Sequence, residues 1–201
     1  MSIPWPASQR YGIIIPAPGG LGLVQDFLNT RGIDGYGPDL LADPALAGEW
    51  VADAVHAWSA ARGMDAPVPT FDDADLAKLR ALRARIDSLV VGEAPGGRSA
   101  VPAALVVTDA GEVRLEPSGT GWRWLASALW AEILLSQQDD TWRRIKQCHN
   151  PRCGSTFYDR SKNNSGVWHD VKTCGNAANL RASRARRRER ERVTGSAVSP
   201  Q

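Results

Sequence analysis

The chain has 201 residues, 43% of them apolar, and a formal net charge of +2. That suits one or two packed domains, and the lack of an apolar run of about 18 residues argues against a membrane-spanning helix. The charge is divided: residues 1–140 hold 10 Lys+Arg against 18 Asp+Glu, net −8, whereas residues 141–201 hold 14 against 4, net +10. An acidic body with a basic end places any polyanion contact at the end.

The N-terminus has no basic segment followed by a long apolar stretch, so no secretory signal is expected and the expected setting is the reduced cytoplasm. Three cysteines, an odd number, argue against a disulfide framework. In chain order, "RYGIII" at 10–15 predicts a short strand closed by Pro16 and the turn at 18–20. "LGLVQDFLNTR" predicts a helix with Leu21, Val24 and Leu28 at helical spacing. Residues 32–44 read as a loop. "PALAGEWVADAVHAWSAARG" predicts a helix from Pro44 to a stop at Gly63, with Leu46, Trp50, Ala54 and Trp58 on one face.

A further helix is predicted over 72–91, with an acidic first turn and a stripe of Leu76, Leu79, Leu82, Ile86 and Leu89. "ALVVTDAGEVRLEPSG" predicts a hairpin turning at Asp109-Ala110-Gly111. "WRWLASALWAEILLSQ" predicts a helix with Trp122, Leu125, Leu129 and Ile133 aligned. Most of the eight tryptophans fall on such stripes and read as core. His56 reads as a partly buried, hydrogen-bonded histidine. The fold class expected is α+β: a mainly helical N-terminal domain with a small sheet over 10–140, a small treble-clef-like zinc finger ending in a basic helix over 141–192, and a disordered tail over 193–201.

The chemistry gathers between 148 and 174, where all three cysteines fall: Cys148-x4-Cys153, fifteen residues, then His169-x4-Cys174. Zinc takes four S/N ligands in a tetrahedron, and Cys3His is a common closed structural set. His149 is the alternative fourth ligand, but neighbouring residues are hard to direct at one ion, which favours His169. A thiol nucleophile is the rival chemistry and would need a base and an orienting partner. Gly154 suits a tight knuckle. "STFYDR" and "GVWHDV" are predicted to pair as a hairpin that returns His169 to the knuckle, and Asn176 is expected to cap the helix that follows.

That helix has almost nothing apolar beyond Leu180. Arg181, Arg184, Arg188 and Arg192 fall in a narrow arc with Arg187 at its edge, and Lys172 adds charge on the module. These six residues are the candidate nucleic-acid contacts, held on a root fixed by structural Zn2+; the competing reading is a solvated tail.

"CHNPRCG…DRSKNNSGVWHDVKTCGNA" resembles the CGNR zinc-finger family, and "LVQDFLNT" resembles the Asp-Phe-x-Asn-Thr motif of the ABATE domain that usually precedes that finger. The resemblance covers about 10 to 192. It implies a bacterial, stress-induced transcription regulator that binds DNA, and metal ligands at Cys148, Cys153 and Cys174. His169 stands where many members have cysteine. Ala177 stands in place of the family's name-giving arginine, whose role is then absent or supplied by Arg181.

Asp26, Phe27, Asn29 and Thr30 read either as polar satisfaction with a helix stop or, for Asp26 and Asn29, as part of an effector pocket. No G-x-S-x-G, H-E-x-x-H, Walker or G-x-G-x-x-G pattern is present, and "PAPGGLGL" has the wrong spacing for a phosphate loop, so the expectation is not an enzyme. DNA is the expected partner, with a small-molecule effector and a homodimer as further expectations. The alternative is a zinc-dependent protein–protein module that binds no nucleic acid.

Overall fold

The computed structural model describes residues 5–12, 14–32, 37–94 and 96–196, without the side chains of Ala182 and 189–196. Helix α1 (Pro6–Gln9) is one turn, opened by a proline where a missing N–H costs nothing. Helix α2 (Leu21–Leu28) is buried along every residue. It is apolar nearly all round, as a helix enclosed by its neighbours must be. Helices α3 (Pro44–Arg62), α4 (Asp73–Val90) and α5 (Gly121–Gln138) pack around it.

Local chemistry sets the ends of these helices. The Asp43 carboxylate accepts from Ala45 N and Leu46 N at 2.9 and 3.0 Å, Pro44 follows it, and Gly63 stops α3 at φ +62°. Asp72 caps α4 through Asp75 N at 2.8 Å. The predicted stripes face inward: Trp50, Ala54 and Trp58 on α3, Leu76, Leu79, Leu82 and Ile86 on α4, and Leu125, Leu129 and Ile133 on α5 are buried. Leu46, Leu89 and Trp122 at the stripe ends are half-buried. Each fully buried large apolar side chain here contributes about 1.5–3 kcal/mol.

Glycines in "PAPGGLGL" serve packing. A Cβ on Gly20 would lie 2.1 Å from the Glu132 carboxylate, and one on Gly22 would lie 2.5 Å from the Trp5 ring. Glu132 is itself buried and accepts from Trp58 Nε1 at 2.7 Å and Arg62 Nε at 2.6 Å.

Strands β1 (Ala103–Val107) and β2 (Val113–Pro117) form the predicted hairpin, antiparallel with Leu105 opposite Leu115. Residues 10–15 differ from expectation. Among the described residues of that stretch there is no strand: Gly12 turns at φ +82°, Ile14 N bonds back to Gly12 O at 3.1 Å, and Ile15 is exposed. Ile13 lies outside the described residues, as do 33–36 of the expected loop. His56 is exposed, because it falls on the outer face of α3.

After a 3-10 turn at Trp142–Arg144, β3 (Ile145–Gln147) pairs antiparallel with β4 (Thr156–Tyr158), Lys146 opposite Phe157. This corrects the expected hairpin: β4 pairs backward with β3, not forward with 166–171. That later segment instead lies beside the knuckle, where Val167 O accepts from His149 N at 2.9 Å. Ile145 belongs to the main core, and Trp142 and Tyr158 pack against it.

A single π-type turn at Val171–Gly175 runs directly into α6 (Asn176–Ser196). Asn176 is therefore inside helical structure, and the cap is Asp170, which accepts from Lys172 N at 2.9 Å. The helix reaches four residues into the expected tail; 197–201 lie outside the described residues.

Candidate metal centre and basic helix

Two knuckle residues and two residues at the root of α6 converge. The ligand atoms of Cys148, Cys153, His169 and Cys174 all lie within 4.8 Å of one another. His169 Nδ1 is 3.3 Å from Cys153 Sγ and 3.6 Å from Cys174 Sγ. A tetrahedral zinc with ordinary Zn–S and Zn–N bonds requires S···N edges of about 3.6 Å. The donor set therefore fits that ion, with no disulfide among the thiols. His149 is outside the cluster. It is exposed, and its ring stands edge-on to Trp168 at 6.0 Å.

Local backbone chemistry holds the knuckle. Cys148 N bonds to Ser155 O at 2.8 Å, Cys153 N to Asn150 O at 2.8 Å, and Gly154 N to Asn150 O at 3.1 Å, with Gly154 at φ +62°. Cys174 N bonds to Asp170 O at 2.9 Å. A Cβ on Gly175 would sit 3.2 Å from the Trp168 ring, so glycine lets the tryptophan lie close against the helix root.

The thiols are buried, and one is poised to be thiolate. Hydrogen bonding from the Cys148 thiol, then from His169 and Ser155, outweighs burial and lowers the Cys153 thiol, and giving that bond pushes Cys148 up. Cys153 Sγ and Ser155 Oγ are 3.2 Å apart. A donor set biased toward thiolate is what a metal requires.

Two residues missed in the sequence complete the site. Asn150 is buried; its Nδ2 donates to Cys174 Sγ at 3.2 Å and its Oδ1 accepts from Arg181 Nη2 at 2.7 Å. Tyr11, from the N-terminal segment, packs with Cys148, Cys153, Cys174 and Phe157, and burial pushes its phenol up to about 12. The asparagine follows Cys148-His149 inside the knuckle, where a turn-forming side chain was a usable signal. Tyr11 carried none, since it arrives from 137 positions away.

The sequence profile of ABATE, described as "Putative stress-induced transcription regulator", matches residues 21–138, and that of the CGNR zinc finger matches residues 144–187. The first alone covers more than half of the chain. The chain belongs to the ABATE family. No match is found among curated proteins.

Within this ABATE–CGNR arrangement the basic residues divide. Arg184, Arg187 and Arg188 are exposed on α6, and Lys172 is exposed at its root. Arg181 is half-buried and engaged with Asn150, one helical turn beyond Ala177 on the same face. It braces the knuckle through that bond. The side chain of Arg192 lies outside the described residues.

The ABATE motif residues are internal. Asp26 is buried, accepting from Ser8 N at 2.7 Å, Ala7 N at 3.2 Å and Trp50 Nε1 at 2.9 Å; burial pushes its carboxyl up against the pull of these bonds. Asn29 Nδ2 donates to Ser8 Oγ at 3.0 Å and Thr156 O at 2.9 Å, and its Oδ1 accepts from Thr156 N at 2.8 Å. Thr30 Oγ1 donates to Phe27 O and accepts from Arg83 Nη1, both at 2.7 Å. Asp26 and Asn29 therefore tie elements together. Their polar atoms are spent on protein partners and neither is exposed, so these contacts lend the effector-pocket expectation no support. Among the described residues, no helix is long and apolar enough to cross a membrane.

Proposed function

We propose that this protein is a non-enzymatic, DNA-binding transcription regulator. Its Cys148, Cys153, His169 and Cys174 side chains hold a structural zinc ion that fixes the root of α6, and α6 presents cations to phosphates. Zinc bound there supplies four directional bonds and leaves no open position for a substrate. The observation that carries the reading is the placement of Cys174: it lies within the helical run that continues as α6, so the ligand and the arginine helix are one continuous element. The basic end of an otherwise acidic chain and the ABATE description support the same reading. The free thiols support a cytoplasmic setting.

Fluorescence anisotropy with genomic fragments, repeated across salt concentrations, tests it. About five phosphate contacts correspond to a log–log salt slope of about −4.5. Binding that is absent, or that ignores salt, overturns the proposal.

A further inference from the structure

Helices α4 and α5 face each other across a groove that no part of the regulator reading uses. Lys78, Leu82 and Arg85 present one helical stripe, and Trp122, Ala126 and Trp130 present the other. Val101, in the segment before β1, lines the same groove, which continues past Trp130 toward Leu134. The two halves enclose about 350 and 390 Å³, the size range of small-ligand sites.

The walls are aromatic and cationic. Lys78 Nζ lies 5.3 Å from the Trp122 ring centre, Arg123 lies 5.1 Å from it, and the Arg85 guanidinium lies 5.7 Å from that of Trp130. Among the described residues no carboxylate lines either half, although the body carries net −8; Asp75 pairs with Lys78 from outside the groove, 3.4 Å from its Nζ. Arg85 already holds Ser99 Oγ at 2.8 Å and Gly97 O at 3.0 Å, so the covering segment is tied to α4.

A ligand that brings a negative charge and an apolar body answers the cations and the tryptophan walls together. A phosphate alone leaves the apolar walls unmatched, and an amine meets two like charges.

We propose that the α4–α5 groove binds an amphipathic carboxylate, with its acid group toward Arg85 and its apolar body between Trp122, Trp130 and Leu82. This is independent of nucleic-acid binding and stands whatever α6 contacts.

The test uses the full chain labelled with 15N at tryptophan indoles, the Trp122 signal being assigned with Trp122→Phe. Octanoate, 1-octanol and octylammonium share one tail and differ in charge. Octanoate is expected to shift the Trp122 and Trp130 indole signals, with about tenfold weaker effect from the alcohol and more from the ammonium. Arg85→Gln should weaken octanoate binding about tenfold, and Val101→Asp, at a partly exposed position, should do so while favouring octylammonium. Equal binding of the three probes, or no indole shift with octanoate at millimolar concentration, overturns the proposal. So does undiminished octanoate binding by both variants.

Discussion

The Asn29 side chain pairs with the backbone of Thr156 as a strand would, through bonds of 2.8 and 2.9 Å between residues 127 positions apart. Asn29 closes α2, the innermost helix, and Thr156 opens β4, the second strand of the metal-binding hairpin. The helix that organises the N-terminal domain thereby reaches the strand that follows the knuckle.

Removing that amide strands a buried N–H and C=O. Asn29→Ala is expected to lower stability by about 2–4 kcal/mol, combining unmet backbone groups with the lost Ser8 contact. Urea titration checks this. A cost under a few tenths of a kcal/mol would show the bonds to be incidental.

Loss of a metal ligand should be felt unequally. Cys153→Ser, or chelation of the wild type, is expected to unravel 166–196, since α6 has little apolar surface of its own and metal binding is what folds such a root. The β3–β4 hairpin should stay docked through Ile145. Hydrogen exchange resolved by segment decides between this and uniform loosening.

Arg181 should separate from its helix neighbours. Arg181→Ala frees Asn150 and is expected to weaken metal affinity about tenfold, as for other outer partners of metal ligands. Arg184→Ala and Arg188→Ala should leave metal affinity unchanged and reduce the salt slope of DNA binding by about 1 each. Competition with a chromophoric chelator reads the first and anisotropy the second. Equal metal affinities for all three variants would remove the brace role.

Acid should weaken the finger through Asp159. Burial raises its carboxyl, but bonds from Lys146 Nζ at 2.7 Å, Gly166 N at 2.7 Å and Ser161 N at 2.9 Å outweigh that and hold it well below the ordinary range. A folded value below the unfolded one gives stability that is complete above the unfolded pKa of about 3.9 and fades as pH falls through it. Asp159→Asn is expected to cost about 1–3 kcal/mol at neutral pH, a gap that narrows below about pH 4. Denaturant midpoints compared between pH 7 and 3.5 measure it; a gap independent of pH would assign the loss to packing alone.

What was legible in the sequence was what local chemistry decides. Pro44 and Gly63 bound α3, Asp109-Ala110-Gly111 turns the β1–β2 hairpin, and the four metal-binding side chains stand at knuckle and helix-root spacing. What escaped was decided across the chain. β3 is three residues, too short for a readable alternation, so its claim on β4 was hidden and the pairing went to the wrong neighbour. "RYGIII" is β-rich, yet Tyr11 is drawn to the cysteine cluster and Gly12 bends the backbone away from any ladder. The Asp-Phe-x-Asn-Thr motif looked as much like a pocket as a set of internal ties, because polar residues in a helix do not announce their partners.

Ile145 stands three residues before Cys148 and is buried among the side chains of the helical body. A graft that lifts the last sixty residues onto another carrier would drag this isoleucine into water and leave Asn29 behind. Swapping such fingers between relatives should therefore succeed only when the innermost helix travels with them.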